Sequence, residues 1–143
     1  MSKASEAKIR EYVEEIWVRG NLDAVDDFYA AGYVRHQPPF PDVNGAEAMK
    51  QWIAELRDAY SDVQLTIDEF ISDGETVVLR GSVHTTHTGQ SPTLSIPATG
   101  RQLAIPWCSV FHQKNSKVIE EWYYSDNLGL LQQLGVIPAL TST

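Results

Sequence analysis

The stretch Lys117–Gly135, KVIEEWYYSDNLGLLQQLG, predicts a β-strand that passes directly into a short helix. Successive side chains of a strand point to opposite faces, so every second residue shares a face. One face is predicted to carry Val118, Glu120, Trp122, Tyr124 and Asp126. The other face then carries Ile119, Glu121, Tyr123 and Ser125. An acidic residue therefore ends a row of aromatic side chains.

Asp126 supports two interpretations. A carboxylate that lies against Trp122 and Tyr124 loses water around its charged form, which makes it a better proton acceptor near neutral pH. Asp126 also directly precedes Asn127–Leu134, an apolar helical pattern, and Asp is a preferred N-cap whose side chain accepts the first free N–H groups. The sequence leaves both roles open, and one residue could serve as cap and as catalyst.

The composition is that of a globular protein, with 143 residues, 43% of them hydrophobic and 21% charged. Residues 1–143 are expected to form a single domain. The chain has 11 basic and 19 acidic residues, a formal net charge of −8, so nucleic acids and membranes are not expected as partners. The charged N-terminus and the lack of a long apolar run predict a cytoplasmic protein. Cys108 is the single cysteine, which excludes an internal disulfide.

Helical periodicity dominates the first part of the chain, and strand-like alternation dominates the rest. The first predicted helix starts after a cap at Ser5 and ends at Gly20. The second covers Leu22–Ala30. The third runs from a capping box at Asn44 and Glu47 to Tyr60. The predicted strands cover Tyr33–His36, Val63–Ser72, Thr76–Thr86 and Leu103–Gln113, followed by the strand that begins at Lys117. Gly89–Gly100 is predicted to be a loop. This order indicates an α+β fold in which three helices pack on a curved antiparallel sheet, with a short helix at the C-terminal end.

A curved sheet leaves a cavity between its concave face and the helices, because straight helices do not fill a curved surface. Function is expected in that cavity. The aromatic residues that could line it are Tyr12, Trp17, Phe28, Tyr33, Trp52, Trp107 and Trp122. Each of them could equally be plain core.

The histidines predict no metal site. His84 and His87 lie three residues apart in a strand and so face opposite sides, and no HExxH motif or cysteine pair supplies further ligands. His87, next to the break at Thr88 and Gly89, is expected at the pocket rim. His36, before the proline-rich loop, could project from the rim or bind backbone.

Arg80 lies in the otherwise apolar strand VVLRGSV and needs a carboxylate partner if it is buried. A surface salt bridge is the alternative. The sequence contains no GxSxG motif and no glycine-rich phosphate loop, so covalent catalysis and nucleotide cofactors have no support.

Five segments together resemble the SnoaL-like polyketide cyclases. They are GNLDAVDDFYA at Gly20–Ala30, YVRH at Tyr33–His36, THTG at Thr86–Gly89, PATGR at Pro97–Arg101, and EWYYSDNLGLLQQLG at Glu121–Gly135. The resemblance extends over nearly the whole chain. It implies a cone-shaped fold of the nuclear transport factor 2-like superfamily, a half barrel that usually forms homo-oligomers through its sheet. The superfamily includes cyclases, isomerases, dehydratases, epoxide hydrolases and non-catalytic binders.

The resemblance also implies a chemistry, an intramolecular aldol condensation that uses an aspartate as acid and base, without metal or organic cofactor. Asp126 matches that aspartate, and His36 and His87 match recurrent histidines of the family. We therefore predict a cofactor-independent cyclase-like enzyme that acts on a small hydrophobic carbonyl compound and forms a homodimer or a higher homo-oligomer. The predicted substrate pocket contains Trp17, Tyr33, Trp52, Arg80, Trp107, Trp122 and Tyr124. Another superfamily reaction, or a non-catalytic ligand-binding or dimerisation module, is the alternative.

Overall fold

The computed structural model describes residues 2–140, so the predicted domain of residues 1–143 extends beyond them at both ends. The helices are α1 (Lys3–Val13), α2 (Val25–Phe28), α3 (Ala46–Ala59) and α4 (Asn127–Gln133). The strands are β1 (Tyr29–Gln37), β2 (Phe40–Asn44), β3 (Tyr60–Asp73), β4 (Thr76–His87), β5 (Gln102–Lys114) and β6 (Lys117–Ser125). A π-helical segment, Glu14–Val18, continues α1, and a 3-10 turn, Leu22–Ala24, leads into α2.

Helix starts differ from the sequence-based expectation at two places. Ser2, not Ser5, caps α1, because the Ser2 hydroxyl accepts from the Ser5 N–H at 3.1 Å. The predicted capping box does not form, since Asn44 ends β2 and pairs with β1. Gly45 precedes α3 with a φ of 91°, a backbone conformation that favours glycine.

Helix α2 is shorter than predicted because Tyr29 and Ala30 already belong to β1. Tyr29 pairs with Val118 of β6, and this long-range pairing outweighs the local helical pattern. The second predicted helix is therefore helical over residues 22–28, first as a 3-10 turn and then as α2, and only its last two residues are strand.

One curved six-stranded sheet has the order β2-β1-β6-β5-β4-β3, and it does not close into a barrel. All neighbours are antiparallel except β1 and β6, which are parallel. This one pair departs from the predicted antiparallel sheet. The predicted α+β class, with helices packed on a curved sheet, is confirmed.

Bulges give the strands their curvature. Register shifts interrupt β3 between Ser61 and Gln64 and again between Ile67 and Glu69. Opposite the second shift, a Cβ on Gly81 would lie 1.8 Å from the Thr66 carbonyl oxygen, so only glycine fits there. Bulges bend a strand and increase its twist, and the sheet therefore wraps around the helices.

The core lies between the concave face and the helices. Its fully buried members include Ile16, Val25, Tyr33, Met49, Ile53, Val77 and Val118. Each such side chain contributes about 1.5–3 kcal/mol to folding through the apolar surface it removes from water. This packing holds α3 and the end of α1 against the sheet.

A bulge in the last hairpin decides which side chains of β6 face the core. Gln113 pairs with Val118 whereas His112 pairs with Glu120, so one residue of β6 has no direct partner. After that point Glu121 is buried and Trp122 is exposed. The predicted grouping of Val118 with Trp122 on one face is wrong, because the bulge changes the alternation between them.

Candidate functional site

A cavity of about 220 Å³ lies between the concave face of the sheet and the helices. Its wall is mostly apolar and aromatic, and it includes Trp17, Phe28, Trp52, Trp107, Phe111 and Tyr123. Trp17 comes from the π-helical end of α1, Trp52 from α3 and Trp107 from β5. Helices and sheet thus both contribute aromatic rings to the same space.

A buried ion pair interrupts the apolar wall. Arg35 of β1 and Glu121 of β6 both line the cavity and are only 4% and 6% exposed. A guanidinium N–H of Arg35 donates to Glu121 at 3.2 Å, and its Nε donates to the side chain of Gln37 at 2.9 Å. The guanidinium also lies over two rings, 5.0 Å from Trp17 and 4.1 Å from Tyr123. Stacking and hydrogen bonding together fix its position.

The Glu121 carboxylate accepts from three side chains. Tyr33 and Arg35 donate to one oxygen, and the Ser109 hydroxyl donates to the other. Burial and the negative charge of Glu121 hold the pKa of Tyr33 well above its usual range, so the phenol stays protonated and donates. Burial lowers the pKa of Arg35, but Glu121 together with the neighbouring tyrosines Tyr33, Tyr123 and Tyr29 outweighs that effect, and the pKa is raised. Arg35 is therefore charged at neutral pH.

Asp126 lies at the start of α4 and is exposed. Its Oδ1 accepts from the Gly129 N–H at 2.8 Å, which makes it the N-cap of that helix. A Cβ at Gly129 would lie 2.2 Å from the other carboxylate oxygen, so a side chain at this position would collide with the capping carboxylate. Ser125 and Asn127 line the cavity on either side, whereas Asp126 does not. Asp126 therefore does not line the cavity as the catalytic interpretation expected, because the aromatic side chains Trp122 and Tyr124 before it face outward.

Three residues of the predicted pocket lie on the outer, convex face of the sheet. Trp122 is 39% exposed and Tyr124 is 47% exposed. Arg80, in register with Cys108 and through it with Tyr124, forms a surface salt bridge to Glu69 at 2.7 Å. None of the three is part of the cavity wall. Their assignment to the pocket is corrected, since alternation places them on the side away from the helices.

The other predicted pocket residues lie on the concave side. Trp17, Trp52 and Trp107 line the cavity. Tyr33 is fully buried and contributes through its bond to Glu121, not as part of the wall.

The two predicted catalytic histidines lie apart from each other and outside the cavity wall. His36 is on the outer face, where its ring contacts Asp42 at 3.1 Å and Glu120 at 2.9 Å and stacks on Trp122. The Glu120 hydrogen bond is the main reason why the pKa of His36 is raised. His87 is completely buried, and its Nδ1 accepts from the Thr99 N–H at 3.2 Å. It thereby fixes the loop before β5.

Sequence reasoning did not select the ion pair of Arg35 and Glu121 as the site. A signal was present, because Tyr33, Arg35 and Gln37 alternate along β1 and all three are buried. Arg35 lies inside the YVRH motif, directly before His36. Glu121 was assigned to the face opposite the aromatic row, which is the face that lines the cavity.

Within residues 2–140, no group of three or more His, Cys, Asp or Glu side chains is arranged to hold a metal ion. Among the same residues, no helix has the length and apolar character that a membrane crossing requires.

Comparison with known families supports the fold. The sequence model of the family described as SnoaL-like polyketide cyclase matches residues 7–134. The chain belongs to this family. Its members bind small molecules, in agreement with the apolar cavity. A search of curated proteins returned no match.

Several solved structures of the family's fold are similar to this chain. TsrD from Streptomyces laurentii has 26% sequence identity and a TM-score of 0.84, with 96% of this chain and 99% of that chain covered. A candidate polyketide cyclase from Acidithiobacillus ferrooxidans has 26% identity and a TM-score of 0.80, with coverage of 95% and 99%. IdmH, a candidate polyketide cyclase from Streptomyces antibioticus, has 20% identity and a TM-score of 0.73, with coverage of 90% and 97%. At 20% identity, IdmH supports the fold alone.

Proposed function

We propose that this protein is a cofactor-independent, cyclase-like enzyme that performs aldol-type acid and base chemistry on a hydrophobic carbonyl compound. The observation that carries the proposal is the ion pair of Arg35 and Glu121 on the wall of an apolar cavity. Replacing a buried ion pair by apolar residues is often neutral or stabilising. A pair retained beside open space therefore supports a functional role more than a structural one.

Glu121 is the proposed acid and base. Its carboxylate removes a proton from a carbon next to a carbonyl group, and the resulting enolate carbon attacks a second carbonyl of the same molecule. A carbon–carbon bond forms, and the new alkoxide takes back the proton that Glu121 holds. Proton transfer by a positioned side chain contributes roughly 10²- to 10⁴-fold to a rate.

Arg35 is the proposed stabiliser of the enolate oxygen. A guanidinium has five N–H groups, and within residues 2–140 one donates to Gln37 and one to Glu121. The remaining N–H groups are available to a ligand oxygen. A fixed positive charge in an apolar, water-poor site stabilises developing negative charge more strongly than the same charge in water.

The cavity itself supplies orientation. Folding a flexible chain so that the two reacting carbons meet can contribute about 7 kcal/mol or more. The aromatic wall suits a conjugated substrate, because flat rings stack on flat rings.

The test uses 1-(2-acetylphenyl)propan-2-one, which closes by an intramolecular aldol reaction and loses water to give the fluorescent product 4-methylnaphthalen-2-ol. The wild-type protein should accelerate this closure. Glu121→Gln should lower kcat/KM by about 10²- to 10⁴-fold, because Gln does not take up the proton. Product fluorescence gives the rate, and circular dichroism gives the folded fraction for each variant.

Matched variants separate the possible roles. Glu120→Gln changes the adjacent residue on the outer face and should leave the rate within about twofold. Ser109→Ala removes one donor to Glu121 without changing charge, and should lower the rate by about tenfold, the factor for roughly 1.4 kcal/mol.

If Glu121→Gln keeps the full rate and Asp126→Asn loses it, the acid and base role belongs to Asp126. If wild type binds the diketone without closing it, the protein is a binding module.

We also propose that two copies of the chain pair through the outer face of the sheet. The outer patch comprises Cys108 and Val110 of β5 with their register partners Tyr124 and Trp122 of β6. Both aromatic residues are exposed although they are large and apolar. Such patches are typical of protein interfaces.

A further inference from the structure

Arg57 of helix α3 binds the C-terminal end of the π-helical segment. Its Nη1 donates to the Trp17 carbonyl at 3.2 Å and to the Val18 carbonyl at 2.6 Å. The last carbonyl groups of a helix have no N–H partner inside the helix, so Arg57 supplies donors that the segment itself lacks. A single turn of π-helix is uncommon and frequently occurs at functional sites. The contact joins α3 to the segment that carries Trp17.

Gly20, which opens the GNLDAVDDFYA segment, leaves space for the Arg57 guanidinium. A Cβ at Gly20 would lie 2.2 Å from Nε of Arg57 and 2.8 Å from its Cζ. The backbone φ of Gly20 is 71°, a conformation that glycine adopts without strain. Both the backbone and the contact with Arg57 therefore favour glycine at this position.

An ion pair does not explain Arg57. Within residues 2–140, no Asp or Glu oxygen lies within 4.0 Å of its guanidinium nitrogens, whereas four other arginines have such a partner, namely Arg10, Arg19, Arg35 and Arg80. In the same part of the chain, the hydrogen bonds of the Arg57 side chain go only to the backbone of Trp17 and Val18. The position of that backbone is therefore what Arg57 controls.

The Trp17 side chain connects this backbone to the ion pair of the cavity. Trp17 and Arg57 both line the cavity, and the Arg35 guanidinium lies 5.0 Å from the centre of the Trp17 ring. The attraction between a cation and an aromatic ring depends on the position of the ring. A shift of the backbone at Trp17 would therefore weaken the contact that helps to fix Arg35.

We propose that Arg57 is a positioning residue, which holds the backbone at Trp17 and Val18 and thereby keeps the Trp17 ring against Arg35. Gly20 provides the space that Arg57 needs. This inference rests on the proposed function for its kinetic test, but not for its spectroscopic test. An arginine that served only to cap the helix would change stability and leave Arg35 in place.

The spectroscopic test follows the Nε–H signal of Arg35 by ¹⁵N NMR in the protein without ligand. A proton above the face of an aromatic ring is shielded, so displacement of the Trp17 ring should move this signal downfield. Arg57→Met keeps a long apolar side chain, removes the guanidinium and should produce that shift. Arg19→Met, which removes an exposed cation that pairs with Glu15, is the matched control and should leave the signal in place.

The kinetic test measures closure of the diketone. Arg57→Met should lower kcat by about tenfold and leave KM within about twofold, because Arg35 acts on charge that develops in the transition state. Arg57→Lys should be about threefold faster than Arg57→Met, since an ammonium group still donates to the carbonyl oxygens. Circular dichroism gives the folded fraction of each variant.

A double-mutant cycle tests the role of Gly20. Gly20→Ala should lower kcat by about tenfold in the wild-type background, because the added Cβ displaces the guanidinium. In the Arg57→Ala background no long side chain remains to be displaced, and the same change should alter kcat by less than about twofold. Equal losses of kcat in both backgrounds would overturn the coupling of Gly20 with Arg57.

The proposal is overturned if folded Arg57→Met matches Arg19→Met in its Arg35 signal or in kcat, or if only its KM changes. It fails separately from the proposed reaction. An Arg35 signal that moves in Arg57→Met, in a protein that never closes the diketone, leaves the positioning contact standing and removes the reaction. Turnover that depends on Glu121, with signal and kcat both independent of Arg57, does the reverse.

Discussion

At the scale of single residues, the assignment of the acid and base role depends on which carboxylate lines the cavity. Glu121 and Asp126 lie five positions apart, yet Glu121 is buried among three donors whereas Asp126 is exposed and caps a helix. Burial next to open space is the environment in which side chains acquire unusual reactivity. The capping contact of Asp126 is a sufficient reason for an acid at that position.

Variants of Asp126 test the cap. Asp126→Ala should lower the free energy of unfolding by about 1 kcal/mol, whereas Asp126→Asn should change it by only a few tenths, because Asn caps about as well as Asp. Urea unfolding measures both. We expect the folded fraction of each variant to close the diketone at the wild-type rate. Loss of turnover in folded Asp126→Asn would restore the sequence-based prediction that Asp126 is the catalyst.

At the scale of elements, the parallel pairing of β1 with β6 assembles both the site and the outer face. The pairing places Arg35 opposite Glu121 and His36 opposite Trp122. Alternation then directs Arg35 into the cavity and His36 outward. On the outer side, the His36 ring joins three strands, because its partners Asp42 and Glu120 lie on β2 and β6.

The His36 junction should make stability depend on pH. Hydrogen bonds to Glu120 and then to Asp42 raise the pKa of His36 above its ordinary value of 6.5. A raised pKa in the folded state means that the contribution is fully present below the unfolded value and is lost as pH rises through the folded value. The difference in unfolding free energy between wild type and His36→Gln should therefore be largest near about pH 5.5 and decrease above about pH 6.5. A difference that is constant up to pH 8.5 would contradict the junction.

At the scale of the whole molecule, the curved sheet separates two surfaces with different roles. The concave face encloses the cavity, and the convex face carries the outer patch of Cys108, Val110, Trp122 and Tyr124. The same strands β5 and β6 contribute to both. A ligand and a partner subunit can therefore bind opposite sides of two strands without competing for the same atoms.

The outer patch predicts a dimer that one charge disrupts. Wild-type protein should have twice the chain mass in light scattering after size exclusion, and Tyr124→Lys should shift it to the monomer at micromolar concentration, because burying an unpaired ammonium is costly. Ile71→Lys is the matched control, since Ile71 is 53% exposed on β3 and lies outside the patch. A monomeric wild type, or a Tyr124→Lys variant that stays dimeric, would refute the pairing.

The sequence by itself determined the α+β class, the family and most strand positions, because alternation, helical periodicity and local motifs are properties of neighbouring residues. The sequence pattern also located the boundary between strand and helix at Asp126. Only the tertiary structure decided which face of β6 is inside, since one bulge between β5 and β6 sets that register. Local sequence patterns likewise could not predict the pairing of Arg35 with Glu121. The two residues are 86 positions apart, and only the contact of β1 with β6 brings them together.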